Sequence, residues 1–148
     1  MLDVERIGKI ITDIGNYKRE LESYKILKID DLEDSLKYHA TAMIIFSILN
    51  RIIDLGNEII SSERVGAPNS YKDIMPLISK AGYINKMQAD ELNKLIEERN
   101  KMAHFYYEMN EKVLFSLVKK INLIDPLINI IKKKISKKEI SDSEENAI

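Results

Sequence analysis

The stretch "ATAMIIFSILNRIIDLGNEII", residues 40–60, decides the fold. Its twenty-one residues hold one Gly and no Pro, and they never alternate apolar with polar over a strand's length. The segment is too long for a buried strand and reads as helix. Its apolar residues fill more than one stripe: Met43, Phe46 and Ile53 lie on one, while Ile45, Ile48, Leu49, Ile52 and Ile59 spread over others. A helix wet on one side needs a single stripe. This one is expected to pack on sister helices and also to meet a second protein surface, its own copy, giving a homodimer.

Outward from this segment nearly everything reads helical. Asp30 or Asp31 is expected to start the second helix and Ser61 or Ser62 to end it. Ahead of it, Asp3 caps a first helix running to about Tyr24, with Ile7, Ile10, Ile11, Ile14 and Leu21 inward. After the loop "SERVGAPNS" comes a short helix, with Ser70 and Asp73 as rival caps. Asp73 is preferred, because it puts Pro76 in the first turn, where a missing N–H loses no bond. Gly82 closes that helix, and Asn85-x-x-Gln88 opens the next, which carries Met87, Leu92, Leu95, Ile96 and Met102. Asn110 caps the last, with Val113, Leu114, Leu117, Val118, Ile121 and Leu127 inward, and Pro126 is expected to kink or split it. The expectation is an all-α, up-down bundle of four main helices plus a short one. It forms one domain over residues 1–138, with 139–148, "EISDSEENAI", as an acidic flexible tail.

Composition narrows the function classes. A chain of 148 residues with 45% hydrophobic and 32% charged residues is that of a globular protein with one core. Without Cys there is no disulfide framework and no thiolate metal site, which favours a cytoplasmic setting. The longest uncharged stretch, Tyr38 to Asn50, has thirteen residues, too few to cross a bilayer. Asp3, Glu5, Arg6 and Lys9 interrupt the apolar residues near the start, against the pattern of a secretory leader. Net charge is −1, but Glu111 to Lys138 holds eight Lys against Glu111 and Asp125. That local excess attracts a polyanion as readily as it solvates a helix face.

The chemistry gathers in "EERNKMAHFYYEM", residues 97–109. Asn100 and His104, four apart, share a helix face, whereas Arg99 and His104 are about 140° apart on an ideal helix. Convergence then requires that Arg99 wrap back or that the helix loosen near His104; Tyr106, seven from Arg99, returns to its face if the helix continues. A guanidinium clamps phosphate oxygens, and an imidazole moves a proton near neutrality. Together they suit metal-independent RNA cleavage: a 2′-hydroxyl is deprotonated, its oxygen attacks the adjacent phosphorus, and Arg stabilises the added charge. A second copy across a two-fold axis supplies the acid that one chain lacks. The same cluster also serves structure, with Arg99 paired to Glu97 or Glu98.

"ERNKMAHFY" fits the pattern R-x-x-x-x-H-x-Y, and with its flanks the chain resembles the HepT-like toxins of the HEPN superfamily. The likeness runs from "YHATAMIIFSILNRIIDLGNEII" through "SYKDIMPLISKAGYI" to the motif and the helix after it. It implies a homodimeric, metal-independent endoribonuclease acting on RNA, with Arg99 and His104 as catalytic pair and Asn100 as polar helper. It further implies a cognate nucleotidyltransferase antitoxin that silences the toxin by AMP transfer to the motif tyrosine, Tyr106, beside which Tyr107 stands as a second phenol. No cofactor or metal is implied. One rival is a HEPN scaffold that holds the nucleotidyltransferase without cleaving RNA; another is a bundle whose motif only knits the dimer.

Other polar residues weigh less. His39, on the side of Met43 and Phe46, is expected as a hydrogen-bonded core or interface histidine. Asn50, Arg51, Asp54, Asn57 and Glu58 form a polar seam in which Arg51 can pair with Asp54. Neither histidine has an acid three residues before it, which excludes a di-metal bundle site. The phosphate-loop and dinucleotide glycine patterns are absent.

Overall fold

The computed structural model describes residues 2–146, and for residues 139–142 and 146 the backbone alone. Helix α1 (Val4–Ser23) starts where the Asp3 carboxylate accepts from the Arg6 N–H at 3.2 Å. It buries Ile7, Ile10, Ile14 and Leu21, as its spacing predicts, and leaves Ile11 half-buried.

Helix α2 (Ser35–Glu63) begins later than expected. The Asp31 carboxylate is spent on the N–H groups of Leu27 and Lys28, at 2.9 and 3.0 Å, in a 3-10 turn over Ile29–Glu33. Asp34 is the cap instead, accepting from the Lys37 N–H at 3.0 Å. The helix stops at Arg64, whose φ of 53° is left-handed. Its middle is the axis of the bundle, with Ile45, Ile48, Leu49, Ile52, Leu55 and Ile59 fully buried. Each such side chain contributes roughly 1.5–3 kcal/mol relative to exposure. On one side α2 packs along α1; on the other it meets the short helix and the helix of the motif.

That short helix, α3 (Ile74–Lys80), starts directly after Asp73, where expected, but without the expected side-chain bond. Asp73 caps nothing in α3: its carboxylate turns back to the N–H groups of Asn69 and Ser70, at 2.8 and 3.2 Å, and holds a 3-10 turn over Tyr71–Asp73. Pro76 does fall in the first turn of α3. Gly56 marks the crossing with α2, where a Cβ would stand 2.5 Å from Ile74 Cγ2. Gly82, at φ 88°, reverses the chain after α3.

Helix α4 (Lys86–Phe105) opens on the expected capping box: Gln88 N–H donates to Asn85 at 2.8 Å, and Asn85 N–H donates to Gln88 at 2.9 Å. A 3-10 turn, Tyr106–Glu108, links it to α5 (Glu111–Lys120), capped by Asn110. The last helix splits at the proline, as expected: Ile121–Ile124 is a 3-10 turn and α6 (Asp125–Asn146) carries Pro126 in its first turn. Its helical backbone continues over 139–146, the segment read above as a tail; Ala147 and Ile148 lie outside the described residues. Polar links fasten the elements: Arg51 pairs with Asp13 of α1 and, at 3.1 Å, with Asp54; Lys18 reaches Asp125 at 2.6 Å; Lys138 donates to the Leu2 carbonyl at 2.8 Å. Among the described residues no helix is long and apolar enough to cross a membrane.

Candidate functional site

The site forms where the last turns of α4 lie against the first half of α2. Arg99 is half-buried and held on several sides. Its Nε donates to Asn50 Oδ1 at 2.6 Å, and its Nη1 donates to Asn100 Oδ1 at 3.0 Å. Its guanidinium carbon stands 5.3 Å from the ring centres of both Phe46, on α2, and Tyr71, in the 3-10 turn before α3. Cation–π contacts and charge-assisted hydrogen bonds thus fix the group, and neither Glu97 nor Glu98 pairs with it among the described residues. Glu98 pairs with Lys101 at 3.3 Å.

The structure brings Arg99, Asn100 and Asn50 together. The α-helix runs through His104 and ends at Phe105, where φ is −135°. His104 is exposed; its ring touches the Phe105 ring at 6.4 Å, and among the described residues no hydrogen bond joins it to Arg99.

Tyr106 opens the 3-10 turn after α4, so the helical register from Arg99 does not extend to it. There it lines an apolar groove of about 430 Å³ with His39, Ala42, Met43, Phe46, Met102 and Ala103. Its hydroxyl lies 2.7 Å from His39 Nδ1, and burial raises its pKa above that of a free tyrosine. Tyr107 points outward, 80% exposed against 39% for Tyr106. His39 is therefore hydrogen-bonded, as expected, but exposed rather than in the core. Its tie to a residue 67 positions away was invisible to local spacing; the one available signal was the share of the α2 face it takes with Met43 and Phe46.

Several apolar side chains are exposed: Leu36 at 83% and Met43 at 62% on α2, Phe105 at the end of α4, and Tyr107 in the turn after it. Of the lysines at 132–134, 137 and 138, Lys134 lies over the Tyr83 ring and Lys138 is bound to Leu2, which leaves fewer for a polyanion. Among the described residues no group of three or more His, Cys, Asp and Glu could hold a metal ion.

The fold and sequence have relatives. The family model described as ribonuclease HepT-like matches residues 7–134. YutE of Bacillus subtilis is 31% identical over 72 residues, 49% of this chain and 50% of its own length. The mRNA nuclease HepT of Shewanella oneidensis is 28% identical over 81 residues, 54% of this chain and 61% of its own. The chain thus spans between half and two thirds of the length of these curated relatives. Among solved structures, that of YutE from Bacillus subtilis, described as a cytosolic protein of unknown function, matches with TM-score 0.77 at 24% identity, covering 93% of this chain and 95% of that one. The tri-AMPylated Shewanella oneidensis HEPN toxin, in complex with an MNT antitoxin, matches with TM-score 0.79 at 22% identity, covering 90% and 99%. Identities this low establish a common fold.

Proposed function

The chain belongs to the HepT-like ribonuclease family, and from that premise we propose that it is the endoribonuclease toxin of a toxin–antitoxin pair, cutting RNA as a homodimer and without a metal ion. The observation that carries the reading is the cradle of Arg99, a guanidinium immobilised by Asn50, Asn100, Phe46 and Tyr71; His104 is exposed in the last turn of the same helix. A pre-ordered cation meets the charge that develops on a phosphorane without reorganising, which is where electrostatic catalysis gains most. His104, free in one chain, faces a second copy. One imidazole takes the 2′-hydroxyl proton, the other gives a proton to the leaving 5′-oxygen, and Asn100 links the cation to the face that carries them.

Silencing follows the same residues. A cognate nucleotidyltransferase antitoxin transfers AMP to Tyr106, and the added phosphate diester lies close to Arg99, where it competes with an RNA phosphate. The relative that carries AMP in complex with an MNT antitoxin supports this, as does the partly exposed Tyr106 hydroxyl. The pair works in the cytoplasm.

The test is cleavage of total RNA in EDTA by Arg99→Ala and His104→Ala proteins, with circular dichroism as the control for folding. Each substitution is expected to lower the rate by about 10²-fold or more. Undiminished cleavage in both variants rejects the pair. The second reading is a scaffold that holds the nucleotidyltransferase and cuts nothing, in which the Arg99 bonds to Asn50 and Asn100 serve packing alone. A parent protein that cuts no RNA in the same assay establishes that alternative.

A further inference from the structure

We propose that His39 is the catalytic base that takes the Tyr106 proton when the tyrosine oxygen is adenylylated, so that the toxin supplies a group to its own silencing. This rests on the reading of Tyr106 as the AMP acceptor.

The geometry is that of a nucleophile and its base. The Tyr106 hydroxyl and His39 Nδ1 stand 2.7 Å apart, with the ring centres at 5.8 Å and the planes tilted by 37°. They come from different elements, α2 and the turn after α4, and meet at the rim of an apolar groove. Near neutral pH the phenol keeps its proton, the more so because burial raises its pKa. A phenol in that state attacks phosphorus slowly unless a neighbour removes the proton. With Nε2 protonated, His39 Nδ1 presents the lone pair that does so. On its other side His39 borders a cleft shared with Glu33 and Glu111, whose carboxylates attract the charge that the ring acquires.

The step balances. The Tyr106 oxygen forms a bond to the α-phosphorus of a nucleoside triphosphate held by the partner, the bond from that phosphorus to the pyrophosphate oxygen breaks, and pyrophosphate leaves. The hydroxyl proton passes to His39 and then, from an exposed ring, to water. The assignment also separates two adjacent phenols: Tyr107 has no hydrogen-bond partner among the described residues, whereas Tyr106 has an imidazole.

Two measurements test it. On the chain alone, an aryl sulfonyl fluoride, which reacts with phenols assisted by a base, is followed by peptide mass spectrometry. His39→Gln is expected to slow labelling of Tyr106 by about tenfold or more while Tyr107 labels at the parental rate. Equal Tyr106 rates in parent and variant overturn the assignment. In the complex with an MNT-type nucleotidyltransferase and ATP, parent, Tyr106→Phe and His39→Gln proteins are compared for AMP incorporation. Modification of Tyr106→Phe at the parental rate removes the acceptor reading itself. A silent Tyr106→Phe with a fully active His39→Gln removes the base alone. A silent Tyr106→Phe with a slowed His39→Gln supports both.

Discussion

Tyr83 buries its ring and donates its hydroxyl to Glu63 Oε1 at 2.6 Å, under the ammonium of Lys134. Burial, first, and the carboxylate acceptor, second, push its pKa well above that of a free phenol. A group whose folded pKa is raised contributes stability that is intact below the unfolded value, about pH 10 for tyrosine, and lost as pH rises through the folded one. We expect the denaturant midpoint to fall in alkali above pH ~10, and Tyr83→Phe to lessen that fall when midpoints are compared across the range. The remainder belongs to Tyr24, Tyr38 and Tyr106, whose hydroxyls are also raised, chiefly by burial. At this scale the sequence spoke little. The Arg99–Asn100 bond was not legible, because adjacent residues point about 100° apart on a helix and only the long guanidinium arm closes the gap. The bonds Arg99–Asn50 and Tyr106–His39 span 49 and 67 residues and depend on the crossing of α2 with α4, which no periodicity encodes.

Helix caps were the most legible elements, since an Asp or Asn that precedes an apolar run acts over three residues. Asp3, Asn85 and Asn110 all cap where expected. The late start of α2 and the missing cap bond of α3 share one cause: Asp31 and Asp73 each turn their carboxylates back to N–H groups behind them, tightening a 3-10 turn. Such competition between backward and forward partners is decided by the approach of the chain, not by the residue type. The joint between α2 and α3 offers a test. Gly56→Ala gains roughly 1 kcal/mol of intrinsic helix preference but drives a methyl against Ile74, whose branched Cγ2 cannot swing away. Overpacking of this kind costs about 1–3 kcal/mol. The expected net result is a lower urea midpoint with unchanged helicity; a higher midpoint would show that α3 shifts freely.

For the whole molecule, the doubly apolar α2 predicted from residues 40–60 is partly accounted for by the bundle, which buries Ile44, Ile45, Ile48, Leu49, Ile52 and Ile53 within a single chain. What remains outward on α2 is Leu36 and Met43, seven residues apart on one face. In the proposed homodimer we expect a two-fold axis to bury that face against its copy. Met43→Glu is expected to yield a folded monomer by light scattering at concentrations where the parent is a dimer, together with loss of RNA cleavage. A dimeric Met43→Glu protein would move the interface to another face, and a monomeric parent would remove it.

The contact of Arg99 with Tyr71 has a practical side, because the chain contains no tryptophan. An indole introduced by Tyr71→Trp would be the sole long-wavelength fluorophore in the molecule, stacked on the cation proposed to receive a nucleic-acid phosphate. Its emission is then expected to report occupancy of the proposed centre in real time, with every other aromatic ring silent.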